Sequence, residues 1–156
     1  MMSQVKKISK ITLCALLFLA AGCKDQNRPS SLYGNTEQPS WTASENYDMT
    51  TSMTAVVKVD LSSTYTEEQL TAAGFQVDEK DILAAFSGES CLGAAVPQDG
   101  LFYLYICAPA DGGDVTLRYY SSVLKNIFIA APFFFSNDMQ LGSVAMPYTP
   151  RWATED

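Results

Sequence analysis

Histidine is absent from all 156 residues of the sequence. It is the commonest general base near neutral pH and the commonest metal ligand, so the enzymes and metal sites that depend on it are excluded. The Gly-x-Ser-x-Gly motif that carries the nucleophile of many hydrolases is also missing, and no pair of carboxylates can be assigned to one cleft. We therefore expect a protein that is not an enzyme and needs no cofactor or metal.

Positive charge is scarce as well. The chain has 10 lysines and arginines against 17 aspartates and glutamates, a net charge of −7. A surface of this sign repels nucleic acid, whose binding depends on lysine and arginine at the phosphates. Nucleic acid is therefore not an expected partner.

The start of the chain has the three parts of a secretion signal. Lysines at positions 6, 7 and 10 come first, an apolar run follows over residues 11–21, and Ala-Ala-Gly ends just before Cys23. The run is too short to cross a bilayer, which takes about 20 apolar residues. We predict a signal peptide over residues 1–22. Its removal takes away three lysines and no acid, which moves the net charge from −7 to −10.

The order Ala-Ala-Gly-Cys at the end of this signal resembles the lipobox of bacterial lipoproteins. In that family the peptide is cut before the cysteine and the thiol receives a diacylglycerol. The resemblance implies lipid attachment at Cys23 and a membrane partner reached without a spanning helix. It also implies a place in the cell envelope, at the outer membrane or the cell surface.

Residues 24–40 read KDQNRPSSLYGNTEQPS, which is polar and contains two prolines. This composition predicts a flexible tether over residues 23–40, with an end-to-end distance of roughly 20 to 25 Å. Residues 41–156 remain, enough for one domain.

The domain is predicted to be all-β, with one short helix. TEEQLTAAG offers Thr66 as the helix N-cap, Gln69 for a capping box and Gly74 as the stop. Elsewhere apolar and polar residues alternate, as in MTAVVKVDL over residues 53–61, and clusters of glycine, proline, aspartate and serine separate the runs. This pattern is typical of an antiparallel β-sandwich or a small barrel, and we predict a sandwich.

Two loops predict how the middle strands pair. If PQDG (97–100) and APADGG (108–113) each close a hairpin, three consecutive strands form a meander with one common inner face. With the neighbouring strands, this predicts the following core: Val57, Val59, Ala85, Cys91, Phe102, Leu104, Ile106, Val115, Leu117 and Tyr119.

The opposite face of this meander carries a cluster of polar aromatic side chains. Tyr103, Tyr105 and Tyr120 share it with Arg118, which the register puts within cation–π reach of Tyr103. Tyrosine and arginine are enriched at binding surfaces. The four residues are our candidate binding face for a glycan or protein ligand, unless another element of the chain covers them.

Two pairs of residues leave alternatives open. An exported chain with Cys91 and Cys107 can form a disulfide, but the predicted register points the two thiols to opposite faces, so free cysteines are the other reading. Trp41 and Trp152 lie near the two ends of the domain. We expect them to pack together, with sugar stacking as the alternative.

DILAAFSGESCLGAA (81–95) resembles a motif of small β-domains in surface and secreted proteins of Bacteroidota. GLFYLYI and DVTLRYYSSVLKNIF resemble the strands that follow it there, and LGS (141–143) resembles the closing segment. The match departs at Ser90 and Leu92, where that motif has glutamate and arginine. The resemblance implies an immunoglobulin-like sandwich of mostly unassigned function. The positions that agree are Asp81, Ala84, Ala85, Phe86, Cys91, Gly93 and Ala95.

Taken together, these features predict a membrane-anchored surface lipoprotein that acts as a binding or adhesion module. The alternative is a structural spacer, or an accessory subunit of an envelope assembly, with no ligand of its own. Exposure of the tyrosine-bearing face separates the two hypotheses.

Overall fold

The computed structural model describes residues 32–43 and 50–155. The predicted signal peptide (1–22), Cys23 and the first part of the predicted tether lie outside the described residues. Predictions that concern them are therefore neither supported nor contradicted by the fold.

The described chain is built mainly of short strands. One α-helix, α1, spans Glu67–Ala72, and a 3₁₀ helix spans Leu61–Ser63. The strands are β1 Ser52–Val57, β2 Ile82–Ser87, β3 Ser90–Ala95, β4 Pro97–Gln98, β5 Leu101–Cys107, β6 Asp114–Ser121, β7 Asn126–Ala130, β8 Phe133–Phe134, β9 Gln140–Leu141 and β10 Trp152–Thr154.

These strands form two sheets packed face to face. The four-stranded sheet has the order β4-β5-β1-β9, and the six-stranded sheet has the order β10-β7-β6-β2-β3, with β8 paired to β6. The pairings between these strands are antiparallel except that of β1 with β9. The predicted all-β sandwich with one short helix is confirmed.

The inner faces of the two sheets meet in an aromatic core. Phe102 of the four-stranded sheet contacts Tyr119 of the six-stranded sheet edge to face, with ring centroids 5.9 Å apart. Tyr119 also stacks on Phe128 at 6.0 Å. Every predicted core residue is buried except Cys91, which is half-buried.

A β-bulge explains the exception at Cys91. In the β2–β3 pair, Ala85 faces Gly93 while Phe86 faces Cys91, so Leu92 is the extra residue. Leu92 consequently enters the core, and Cys91 lies with Phe86 on the outer face.

The helix forms as predicted. The Thr66 hydroxyl accepts a hydrogen bond from the backbone N–H of Gln69, and the Gln69 side chain accepts one from the N–H of Thr66. Gly74 follows the helix with φ of +64°, a left-handed conformation that glycine adopts at little cost.

The chain reverses at the first predicted hairpin, but the turn is tighter and the strand that pairs with β5 there is β4, not β3. Gln98 pairs with Leu101, so the loop is Asp99–Gly100 rather than four residues. Both residues have positive φ, +51° and +77°, which matches the turn that Asp-Gly favours in hairpins. Shortening the loop by two residues shifts the register by two, so the same β5 side chains still point inward.

The predicted three-stranded meander is wrong. β5 pairs with β1 and β4, whereas β6 pairs with β2, β7 and β8 in the other sheet. Residues 108–113 cross the sandwich instead of closing a hairpin. β3 pairs with β2 and only passes β5 at a corner, where a Cβ on Gly93 would collide with the carbonyl oxygen of Tyr105.

The predicted tether differs from the structure over residues 32–40. Leu32 is fully buried in the core. The N–H groups of Gly34 and Thr36 donate to the carbonyls of Leu124 and Lys125, both at 3.0 Å. Composition misled here because one apolar side chain and a few backbone hydrogen bonds are enough to fix a polar segment. We call residues 32–43 the N-terminal strap.

The strap runs from the β6–β7 turn towards β2. The Gln38 side chain donates to the carbonyl of Lys80 at 3.2 Å, just before β2 begins. Further along, the ring of Trp41 meets the ring of Phe86 edge to face, at 5.5 Å between centroids. The strap therefore lies across the outer face of the six-stranded sheet.

A buried carboxylate anchors the start of β2. Asp81 is fully buried and accepts hydrogen bonds from the Tyr119 hydroxyl at 2.6 Å and from the Ser122 N–H and hydroxyl, both at 2.8 Å. The N–H of Asp78 donates at 2.9 Å to Oδ2, the oxygen that also accepts from Tyr119, while Ser122 binds Oδ1. Burial, together with the nearby Asp81 charge, raises the pKa of Tyr119. The carboxylate is fully occupied, so its role is structural.

Candidate binding site

The four residues of the predicted binding face do not form one surface. Tyr103 and Tyr105 lie on β5 and are 40% and 49% exposed. Arg118 and Tyr120 lie on β6, in the other sheet, and Tyr120 is 1% exposed. The prediction is therefore wrong for half of the face, because it placed β5 and β6 side by side.

Tyr120 is buried on the outer side of its own sheet. It sits between Ile82 of β2 and Ile127 of β7 in the strand register. The N-terminal strap passes over this position, and the Tyr120 hydroxyl donates to the carbonyl of Thr36 at 3.4 Å. The sequence left open the alternative that another part of the chain covers the predicted face. For Tyr120 this alternative is correct.

Arg118 is held by three neighbours. Its guanidinium lies 4.6 Å from the ring centroid of Phe86. Nη2 contacts Glu89 at 3.2 Å, and Nε lies 3.9 Å from Glu155. The expected contact with Tyr103 is replaced by the one with Phe86. The flat face of the Arg118 guanidinium already packs on Phe86, and its charge is already paired with carboxylates. Arg118 is therefore poorly placed to bind a ligand.

The two cysteines of the domain are free. Cys91 is half-buried on β3 and Cys107 is buried on β5, so they belong to different sheets. Burial raises the pKa of both thiols. The disulfide alternative is not realised, and the raised pKa lowers the share of each thiol that is present as thiolate.

The two tryptophans make separate contacts. Trp152 is buried and packs against Tyr119, with ring centroids 5.8 Å apart. Trp41 stays half-exposed beside Phe86. The expectation that the tryptophans pack on each other is wrong, since the strap carries Trp41 to the outer face while β10 carries Trp152 into the core.

A groove of about 430 Å³ opens beside Trp41. It lies at the corner of the sandwich where the chain leaves β3 in one sheet and enters β4 in the other, with Val96 at the junction. We call it the corner groove. Its lining consists of Trp41, Ile82, Ala94, Ala95, Val96, Gln98 and Tyr103.

The corner groove combines two aromatic rings with an uncharged lining. Trp41 and Tyr103 supply the rings, and the Gln98 amide supplies both a hydrogen-bond donor and an acceptor. Val96 is 53% exposed, more than is usual for valine. Among the described residues that line the groove there is no carboxylate, thiol, lysine or arginine, so a ligand there would meet aromatic, aliphatic and amide side chains.

A second, smaller groove of about 260 Å³ is polar. Its lining includes Asp60, Ser62, Thr149 and Arg151. The Asp60 carboxylate already accepts a hydrogen bond from the N–H of Ser62 at 2.8 Å, and this bond lowers the pKa of Asp60. Asp60 therefore caps the 3₁₀ helix, and the groove has no aromatic wall.

Two further searches of the described residues were negative. They contain no group of three or more cysteines, aspartates or glutamates placed to hold a metal ion. Among the helices in the described ranges, none has the length and apolarity needed to cross a membrane.

Comparisons with protein-family models, with curated proteins and with solved structures find no match to this chain. The motif over residues 81–95 therefore stands as a resemblance alone.

Sequence reasoning identified part of the corner groove. Tyr103 was named as a binding residue, and Trp41 was considered for sugar stacking. Val96 and Gln98 were missed, because they were assigned to a strand end and a turn. The signal available in the sequence is Pro97 directly after Val96, because a proline has no N–H with which to continue a central strand.

Proposed function

We propose that this chain is a non-enzymatic binding module of the bacterial cell envelope. Lipidation at Cys23 attaches it to a membrane, at the outer membrane or the cell surface, and the corner groove is its contact site. The uncharged, aromatic-walled groove is the observation that carries the proposal. The lipobox-like end of the N-terminal segment supports the anchoring.

The groove has the features of a site formed before its ligand arrives. Trp41 rests on Phe86, and Phe86 in turn rests against the Arg118 guanidinium. The strap that carries Trp41 is hydrogen-bonded at Gly34, Thr36 and Gln38. A wall fixed in this way loses little conformational entropy on binding, which favours affinity.

The contact site can be tested in cells without knowing the ligand. In the full-length chain, Val96→p-benzoylphenylalanine puts a photo-crosslinking side chain in the groove. We expect illumination to give a discrete covalent adduct, seen as a band of lower mobility. Phe134→p-benzoylphenylalanine is the matched control, since Phe134 is also an exposed apolar residue but lies outside the groove.

The two variants distinguish the binding module from the spacer. An adduct at Val96 and none at Phe134 supports the groove as the contact site. If Val96 gives no adduct, or both positions give the same one, the protein is better described as a spacer or accessory subunit.

The anchor is tested by fractionation. Cys23→Ser should release the protein from membranes or leave its signal peptide uncleaved, because the thiol that receives the lipid is gone. Cys14→Ser is the control, since it alters a cysteine inside the apolar run and leaves the lipobox intact. If the Cys23 variant fractionates and migrates as the unaltered protein does, the anchor is elsewhere or absent.

A further inference from the structure

We infer that the ligand of the corner groove is an uncharged glycan. The inference rests on the proposed binding function and adds the chemical class of the ligand to it. Three observations support the inference: the charge of the groove lining, the types of its side chains and the form of the nearby sheet edges.

Charge argues for an uncharged ligand. The chain carries a net charge of −7, yet among the described residues that line the groove the tyrosine phenol is the only ionisable group. An anionic ligand would meet the repulsive field of the protein with no local cation to offset it. A cationic ligand would find no carboxylate in the lining to pair with. A neutral ligand is not repelled by the negative protein and needs no charged partner in the groove.

The side-chain types match a sugar ring. A pyranose has an apolar C–H face and a rim of hydroxyl groups. Trp41 and Tyr103 offer flat apolar rings for the face, with polar N–H and O–H groups at their edges. The Gln98 amide can donate to one hydroxyl and accept from another. Ala94 and Ala95 of the lining are small, so they leave room for a ring to approach.

The neighbouring sheet edges disfavour a peptide. Peptides that bind beside a sheet usually add a strand to its edge through backbone hydrogen bonds. Two sheet edges border the groove. In the four-stranded sheet the edge is β4, which has two residues, and one of them is Pro97, which has no N–H to donate. In the six-stranded sheet the edge is β3, and the backbone of β5 lies against it at Gly93, where a Cβ would collide with the Tyr105 carbonyl oxygen. The groove volume also lies within the range of small-ligand sites, roughly 300 to 1,000 Å³.

Binding can be read from the protein's own fluorescence. The chain has two tryptophans, and Trp152 is buried in the core, so a ligand in the groove should change the emission of Trp41 alone. The sample is the chain from residue 23 onward with Cys23→Ser, which removes the lipid. We would titrate it with neutral gluco-, manno- and xylo-oligosaccharides and, for comparison, with oligogalacturonates, which are anionic.

The expected result is a saturable change with at least one neutral series and none with the oligogalacturonates. The dissociation constant should change less than twofold when salt is raised from about 50 to 500 mM, because screening does not act on a neutral ligand. Trp41→Phe should remove the signal. Binding confined to the charged oligosaccharides, or lost at high salt, overturns the inference.

Matched tyrosines test the site itself. Tyr103→Ala should weaken binding at least about tenfold, as expected for an aromatic side chain at the centre of a contact. Tyr103→Phe keeps the ring and should retain most of the affinity. Tyr105→Ala changes an equally exposed tyrosine two residues along the same strand, outside the groove, and should have less than a twofold effect. Equal losses for Tyr103→Ala and Tyr105→Ala contradict the groove as the sugar site.

The photo-crosslinked adduct at Val96 decides the ligand class even if none of these sugars binds. Periodate opens the sugar rings that carry vicinal diols, and borohydride reduction followed by mild acid then breaks the glycosidic bonds of the opened residues, so a glycan adduct should collapse towards the mobility of the free chain. An adduct that resists periodate and yields peptides of a second protein overturns the glycan inference but leaves the binding function standing. No adduct at Val96 rejects both.

Discussion

The two outer faces of the sandwich carry similar side chains and have different surroundings. On the six-stranded sheet, the N-terminal strap crosses the outer face, and Tyr120 is buried beneath it. On the four-stranded sheet, Tyr103 and Tyr105 of β5 remain exposed to solvent. An outward-pointing tyrosine is therefore a surface residue only where no other part of the chain lies over it.

The strand sequences reflect this difference. β2 reads ILAAFS, and its side chains from Leu83 to Phe86 are all buried, including those on the outer face. β5 reads LFYLYIC, and its residues alternate between buried and exposed up to Ile106. A continuous apolar run indicates a strand covered on both faces, whereas alternation indicates one open face.

The largest difference in stability between the two outer faces is expected for a pair of tyrosine substitutions. Tyr120→Ala should lower the free energy of unfolding by about 3–5 kcal/mol, the range for removing a buried aromatic ring and leaving a cavity. Tyr105→Ala should cost less than about 1 kcal/mol, because much of that ring is already in water. Urea denaturation of both variants measures the difference, and equal costs would mean that the two faces are equally covered.

The strap itself is tested at its first described residue. Leu32→Ala should cost about 2–5 kcal/mol, since Leu32 is fully buried and its loss leaves a cavity. Leu101→Ala, on the exposed side of β5, is the control and should cost clearly less. If Leu32→Ala leaves the unfolding midpoint unchanged, residues 32–40 are the flexible tether that their composition predicts.

Alternation predicted which side chains face the core but not which sheet holds them. Leu104 and Leu117 point inward whether β5 and β6 lie side by side or in opposite sheets, so the core was predicted correctly from a wrong pairing. The loop over residues 108–113 has glycines and a proline that suit either a hairpin or a crossing. Nothing local in its sequence distinguishes the two outcomes.

The local signals were more reliable than the long-range ones. The capping box at Thr66 and the turn at residues 99–100 depend on neighbours in sequence, so the helix and the place where the chain reverses were predicted, whereas the pairing of β3 with β5 was not realised. The corner groove needs Trp41 and Tyr103, which are far apart in sequence, to line the same cavity. The strap brings Trp41 there, and the polar composition of the strap predicted a flexible tether instead.

The smallest expected effect lies at the rim of the covered face. Glu89 is highly exposed and pairs with Arg118 at 3.2 Å, so solvent and salt screen the pair. Glu89→Gln should change the free energy of unfolding by less than about 1 kcal/mol, as is usual for exposed ion pairs. The Arg118 guanidinium keeps its place over Phe86 in this variant, so the packing beneath it is unaltered. Thermal unfolding at low and high salt measures the change, which should shrink as salt rises. If Glu89→Gln lowered the free energy of unfolding as much as Tyr120→Ala, ionic contacts would hold the strap on the sheet, rather than the burial of apolar side chains beneath it.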